Sequence, residues 1–171
     1  MSAHHPRCLP GPGDAFPVIV GRDCDGRTVE LSPANAVVLL YRGQWCAHCR
    51  AQLLGLAREA SGFAAIGFRL IAVSSDDLSL CQVLRDATGG ALEIVSDAGA
   101  GFISDLALVT SDPNADHPIA QPAVFIVDGD GVVRYRYVSR AADDRPKTAL
   151  LLLAAERVAS GAAHVAAART A

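Results

Sequence analysis

The chain has 171 residues, 51% of them hydrophobic and 19% charged, with a formal net charge of -3. That is enough chain for one domain with a real core, and the composition excludes an intrinsically disordered protein. The slightly acidic balance offers no electrostatic reason to expect nucleic acid or an anionic membrane as partner, and five cysteines are too sparse for a disulfide-stapled secreted scaffold.

Residues 1–12 contain Pro, Gly and His without periodicity and read as a flexible arm. The start of the chain lacks the apolar stretch of a signal peptide. The longest apolar run, Ala149 to Ala155, spans seven residues, far below the ~20 of a membrane helix. The expected compartment is therefore the cytoplasm.

Phe16 to Val20 and Arg27 to Leu31 are extended runs around Asp25-Gly26, which predicts a hairpin. Ala36 to Tyr41 is continuously apolar and β-branched, the pattern of a strand buried on both faces. From about Ala47 the period changes to that of an amphipathic helix, with Leu53, Leu54, Leu56 and Ala57 among polar residues and Gly62 as its expected end. Phe68 to Val73 reads as the next strand, with capping residues at Ser74 to Asp77 and a helix from Leu78 to Ala87 stopped by Gly89-Gly90. Leu92 to Val95 is a short strand, Ala100 to Leu108 a short helix, and Ser111 to Pro118 a polar loop. Ala123 to Val127 and Val132 to Val138 form a second hairpin around Asp128 to Gly131. The second strand alternates apolar and basic residues like a half-exposed edge, and a helix is expected from about Asp144. The order of elements predicts one α/β domain over 13–160, with a central mixed sheet, flanking helices and an N-terminal hairpin extension. Residues 161–171 are expected to fray.

The segment that carries chemistry is Tyr41-Arg-Gly-Gln-Trp-Cys-Ala-His-Cys-Arg50. It sets Cys46 and Cys49 at a strand-to-helix junction. The first turn of a helix has unpaired N–H groups and a partial positive charge, which stabilise a thiolate and lower its pKa. At this spacing one sulfur can attack and the other can resolve the mixed disulfide. His48 stands between the sulfurs and could stabilise a thiolate, Arg42 and Arg50 add positive potential, and Trp45 shields the pair. A zinc site would need further ligands, and His4, His5 and His117 lack ligand spacing, so no metal is expected. Pro122 opens the strand Ala123 to Val127, either as an ordinary strand-start proline or as a cis one. Cys81 reads as a core residue or as a second candidate resolving cysteine; Cys8 and Cys24 have no evident role.

Trp45-Cys-Ala-His-Cys49 after an apolar strand, with Pro122 before a later one, resembles the thioredoxin superfamily. Within it, Gly13-Asp-Ala-Phe-Pro17, Tyr41 to Leu53 and Pro122-Ala-Val-Phe-Ile-Val-Asp128 with Val132-Val-Arg-Tyr135 resemble the AhpC/TSA peroxiredoxin-like (redoxin) branch, over residues 13 to 158. The resemblance implies a thioredoxin-like fold, a cis Pro122 packed on the dithiol, and thiol-dependent reduction of hydroperoxides or exchange with protein disulfides. It implies no organic cofactor. The implied partners are a hydroperoxide or a protein disulfide and a thioredoxin- or glutathione-type reductant, with the chain a monomer or homodimer.

The chain departs from the peroxiredoxin loop pattern Pro-x-x-x-Thr/Ser-x-x-Cys. Arg42 replaces the Pro, Cys46 the Thr, and Cys49 falls on the peroxidatic cysteine, while Pro122 replaces the family's peroxide-polarising arginine. The thioredoxin pattern instead makes Cys46 the nucleophile and Cys49 the resolver. Three functions follow: an antioxidant thiol peroxidase, a protein disulfide oxidoreductase, and a non-enzymatic redox-sensing domain. Residues 36–41 contain no acid of the kind that moves protons in thioredoxin.

Overall fold

A computed structural model describes residues 8–161. Its elements are β1 (Ile19–Arg22), β2 (Thr28–Leu31), β3 (Ala36–Leu40), α1 (Ala47–Arg58), α2 (Ala60–Ala65), β4 (Arg69–Ser74), α3 (Leu78–Ala87), β5 (Glu93–Ser96), α4 (Gly101–Asp105), β6 (Val109–Thr110), β7 (Ile119–Ala120), β8 (Ala123–Val127), β9 (Val133–Val138) and α5 (Thr148–Ala159). The main sheet is seven-stranded in the order β2-β1-β5-β4-β3-β8-β9. β4 runs parallel to β3 and β5, β8 runs antiparallel to β3, and a hairpin lies at each edge. This is the expected mixed sheet.

The sheet sorts its side chains by the period of two. Val37, Leu39 and Tyr41 face a core shared with α1, α2, α3 and α5, through Leu53, Leu56, Phe63, Leu84 and Leu151. Ala36, Val38 and Leu40 face a second core with Phe16, Ile19 and the α4 residues Phe102 and Ile103. β3 is buried along its whole length because both faces are covered, which is why its sequence is uninterrupted apolar rather than alternating.

Several elements differ from expectation. Gly62 does not end the first helix: α2 carries on past it, and a Cβ at Gly62 would lie 3.1 Å from Leu152 Cδ2, so the glycine admits α5 against α2. Residues 144–147 are not helical; α5 begins at Thr148, because the residue preceding Pro146 is driven away from helical conformation. The polar loop is flanked by a small ribbon, β6 paired antiparallel with β7. Within the expected N-terminal arm, Cys8 N–H donates to Asp105 O at 3.0 Å, and Arg136 donates to Pro10 O at 3.3 Å. The remainder of that arm, and the expected frayed tail beyond residue 161, lie outside the described residues. No helix among the described residues is long and apolar enough to cross a membrane.

Candidate active site

β3 delivers the chain to its end at Leu40, and the loop from Tyr41 leads to Cys46, the N-cap of α1. Cys46 has extended backbone (φ -79°, ψ 112°), and its Sγ accepts the Cys49 amide at 3.4 Å. The sulfur thus occupies the place normally filled by a capping oxygen. Both sulfurs are reduced and buried, Cys46 4% exposed and Cys49 0%.

The two thiols are driven apart in acidity. Burial raises the Cys46 thiol, but hydrogen bonds from the Cys49 thiol and amide, together with the charges of Arg42 and Arg145, outweigh it and leave the pKa below the ordinary thiol value. Burial also raises Cys49, and its role as donor to Cys46 raises it further; the Arg42 amide and Arg145 only partly oppose this, so Cys49 stays above the ordinary value. Of the two, Cys46 is therefore the thiol that ionises first, with the proton kept on Cys49.

Arg145 is a site residue that sequence reasoning missed. Its Nη1 donates to Ala141 O at 3.1 Å and Asp144 O at 2.9 Å, and its Nη2 lies 3.6 Å from Cys49 Sγ. Its Nε is buried without a hydrogen-bond partner. The loop that carries it is fixed by Asp144, which accepts from the Tyr137 hydroxyl and from the Arg140 amide at 2.7 Å. The available signal was Arg145-Pro146, which forbids the helix assumed there.

Of the expected supporting residues, Arg42 and Trp45 join the site. The Arg42 guanidinium lies 4.8 Å from the centroid of the Trp45 ring and is ion-paired to Asp112, with both partners largely buried. Asp112 ties the 111–118 loop to the reactive loop. Arg50 donates to Gln44 O at 3.0 Å. His48 sits exposed on the first turn of α1 and makes no hydrogen bond to either sulfur among the described residues. Cys81 is fully buried in α3 with its thiol pushed up to about 12, first by burial and then by the charges of Asp76 and Cys24, which suits a core residue.

Pro122 requires a correction, since no cis peptide bond occurs among the described residues. The chain enters β8 through a trans bond, held extended by the Gln121 amide donating to Leu108 O at 2.7 Å and Gln121 Nε2 donating to Ser139 O at 3.0 Å. Pro122 still stands at the reactive end of the sheet, since the next residue, Ala123, pairs with Leu40.

A buried acid is present at the end of another strand, although residues 36–41 hold none. Asp76 follows β4, is 0% exposed, and accepts the Gln44 amide at 2.8 Å. No cluster of three or more potential metal ligands occurs among the described residues.

The chain as a whole is similar to known proteins. Residues 12–136 match the model of the AhpC/TSA family. Among solved structures, the chain is similar to the peroxidoxin BcpB of Mycobacterium tuberculosis (TM-score 0.73, 18% identity, covering 87% of this chain and 97% of that one). It is also similar to reduced Prx3 of Vibrio vulnificus in complex with H2O2 (TM-score 0.75, 18% identity, 85% and 98%). A third is a thiol peroxidase of Chromobacterium violaceum (TM-score 0.73, 18% identity, 91% and 90%). No curated protein sequence matches the chain.

Proposed function

The chain belongs to the AhpC/TSA family, a family of oxidoreductases, and from that premise we propose that it is a thiol peroxidase in which Cys46 attacks and Cys49 resolves. The observation that carries this reading is the opposite displacement of the two thiol pKa values, with the lowered one on the helix cap. The Cys46 thiolate attacks one oxygen of a hydroperoxide ROOH. An S–O bond forms, the O–O bond breaks, and the leaving alkoxide takes a proton to give ROH and Cys46 sulfenic acid. The guanidinium of Arg145, with an unpartnered Nε, and the charge of Arg42 supply donors and field for the oxyanion that develops. Cys49 then displaces water from the sulfenic sulfur, and the Cys46–Cys49 disulfide forms.

A thioredoxin- or glutathione-type thiol returns the disulfide to dithiol, in the cytoplasm, with residues 13–160 as the working domain. Trp45 shields the pair, Pro122 shapes the groove beside it, and His48 is an exposed modulator. Cys81 stays in the core. The H2O2 bound in the Vibrio structure supports a hydroperoxide as substrate.

Disulfide exchange is the second reading, favoured by the Cys49 amide bonded to Cys46 Sγ as in a poised dithiol. One experiment separates the two. Reduced protein is mixed with hydrogen peroxide while the fluorescence of Trp45, the single tryptophan, is followed. Rapid stoichiometric oxidation that disappears in Cys46→Ser, and that stops at sulfenic acid in Cys49→Ser, is expected. Slow oxidation with fast exchange toward glutathione disulfide would make the protein a disulfide oxidoreductase, and a stable disulfide with neither activity would make it a sensor.

A further inference from the structure

Asp76 is the buried group that the chemistry above leaves unused. Its backbone is pinned from two strands: its amide donates to Ser74 Oγ at 3.2 Å, and its carbonyl accepts the Ser96 hydroxyl at 2.6 Å. The carboxyl is therefore anchored in the sheet and reaches out to the reactive loop. Oδ2 accepts the Gln44 amide, while Oδ1 is buried without a hydrogen-bond partner, as is Trp45 Nε1. Both of these unpartnered atoms flank Gly43, where a Cβ would lie 2.9 Å from Asp76 Oδ1 and 2.5 Å from Trp45 Nε1. The loop passes over the carboxyl with no room for a side chain. The titratable groups acting on Asp76 are His117 from the 111–118 loop and Asp77 beside it, and its own charge acts on Tyr41 at the end of β3 and Cys81 on α3. Burial holds its carboxyl above the usual carboxylate range. A buried carboxyl with one oxygen unpaired costs stability.

We propose that Asp76 is a positioning residue for the Cys46 chemistry: through the Gln44 amide it fixes the Gly43–Trp45 turn, and so sets where Arg42 and Cys46 stand. It touches neither sulfur. The proposal rests on Cys46 being the attacking thiolate, and its test is independent of peroxide.

The test is the pH profile of Cys46 alkylation by iodoacetamide, with Trp45 emission recorded on the same samples. Asp76→Ala removes the acceptor for Gln44. Its Cys46 should alkylate about tenfold more slowly at neutral pH, the loss in thiolate for a one-unit rise in thiol pKa. Its profile should move to higher pH and its Trp45 emission to the red. Asp76→Asn keeps an oxygen for the Gln44 amide and should restore most of the rate and the emission. It should also melt at or above the wild-type temperature at pH 7. A carboxyl with a raised folded-state pKa contributes stability below its ordinary value of 3.8 and loses it as pH rises, and the amide escapes that loss.

A folded Asp76→Ala with wild-type alkylation and emission overturns the proposal. So does an Asp76→Asn as slow as the alanine variant, since the oxygen it keeps for the Gln44 amide would then not be what sets the rate. Should Asp76→Ala fail to fold, Gly43→Ala presses on the same contact from the loop side; loss of rate upholds the proposal and a wild-type rate overturns it. A wild-type protein inert to peroxide but slowed in alkylation by Asp76→Ala would sink the peroxidase reading alone.

Discussion

At the scale of single residues, the asymmetry between Cys46 and Cys49 comes from partners that a linear reading cannot see. The motif makes both sulfurs candidates, and the helix cap favours the first. Arg145, ninety-six positions beyond Cys49, lowers both thiols, acting on Cys46 by charge and on Cys49 through its hydrogen bond. Arg145→Ala should shift the alkylation profile of Cys46 to higher pH, because a cation that favours the thiolate has been removed, and should slow iodoacetamide labelling several-fold at neutral pH. Arg145→Lys should recover only part of the rate, since a point charge on a flexible stem cannot hold the same fork of donors on Ala141 O and Asp144 O. An unchanged profile in Arg145→Ala, read by mass spectrometry of the labelled peptide, would remove Arg145 from the site. Asp76 was equally hidden. In Ser74-Ser-Asp-Asp77 both acids look like helix-capping residues, yet only Asp77 caps α3. Asp76 turns inward because the sheet, and not the helix, claims its backbone.

At the scale of elements, legibility followed burial. β3, β4 and β8 are covered on both faces or nearly so, and their apolar runs announced them. α3 matched to the residue because its cap and its glycine stop are both local signals: Asp77 Oδ1 accepts the Leu80 amide at 3.0 Å, and Gly89 and Gly90 take positive φ. The failures lie where a tertiary contact overrides local chemistry, as at Gly62 beneath Leu152, or where a proline holds the residue before it out of a helix, as at Pro146. α3 offers a test of its own. Asp77 is held below the usual carboxylate range, first by the Ser79 hydroxyl and then by the Leu80 amide. A depressed carboxylate contributes stability above its ordinary value of 3.8 that is lost as pH falls through the depressed one. Asp77→Ala should therefore cost about 1 kcal/mol in urea unfolding at pH 7, the usual worth of an N-cap, and its deficit should shrink in acid. A deficit that does not change with pH would mean that the cap's charge is irrelevant.

At the scale of the whole molecule, the N-terminal hairpin is the element most weakly tied to the sheet. β1 meets β5 through the single pair Arg22 and Ser96. A Cβ on Gly21 would come within 2.6 Å of Val95 Cγ1 and 2.7 Å of Ser96 O, so the two strands close only because residue 21 has no side chain. Gly21→Ala should push the hairpin outward and cost about 1–3 kcal/mol, the range of an overpacked core. Amides of β1 and β2 should lose hydrogen-exchange protection before those of β3 and β4. Uniform loss across the sheet would contradict that weak attachment. The reactive end lies elsewhere on the sheet, so iodoacetamide labelling of Cys46 in the same variant should keep its wild-type pH profile.

The pairing of Arg42 with Asp112, and of Cys49 with Arg145, bears on how the protein comes into being. During synthesis both sulfurs leave the ribosome well before the residues that sharpen them. Until the last third of the chain has been made and folded back, Cys46 has Cys49 and Arg42 beside it but lacks the charge of Arg145. The last of the charges that lower the Cys46 thiol is thus set in place only once the approach to α5 has been made.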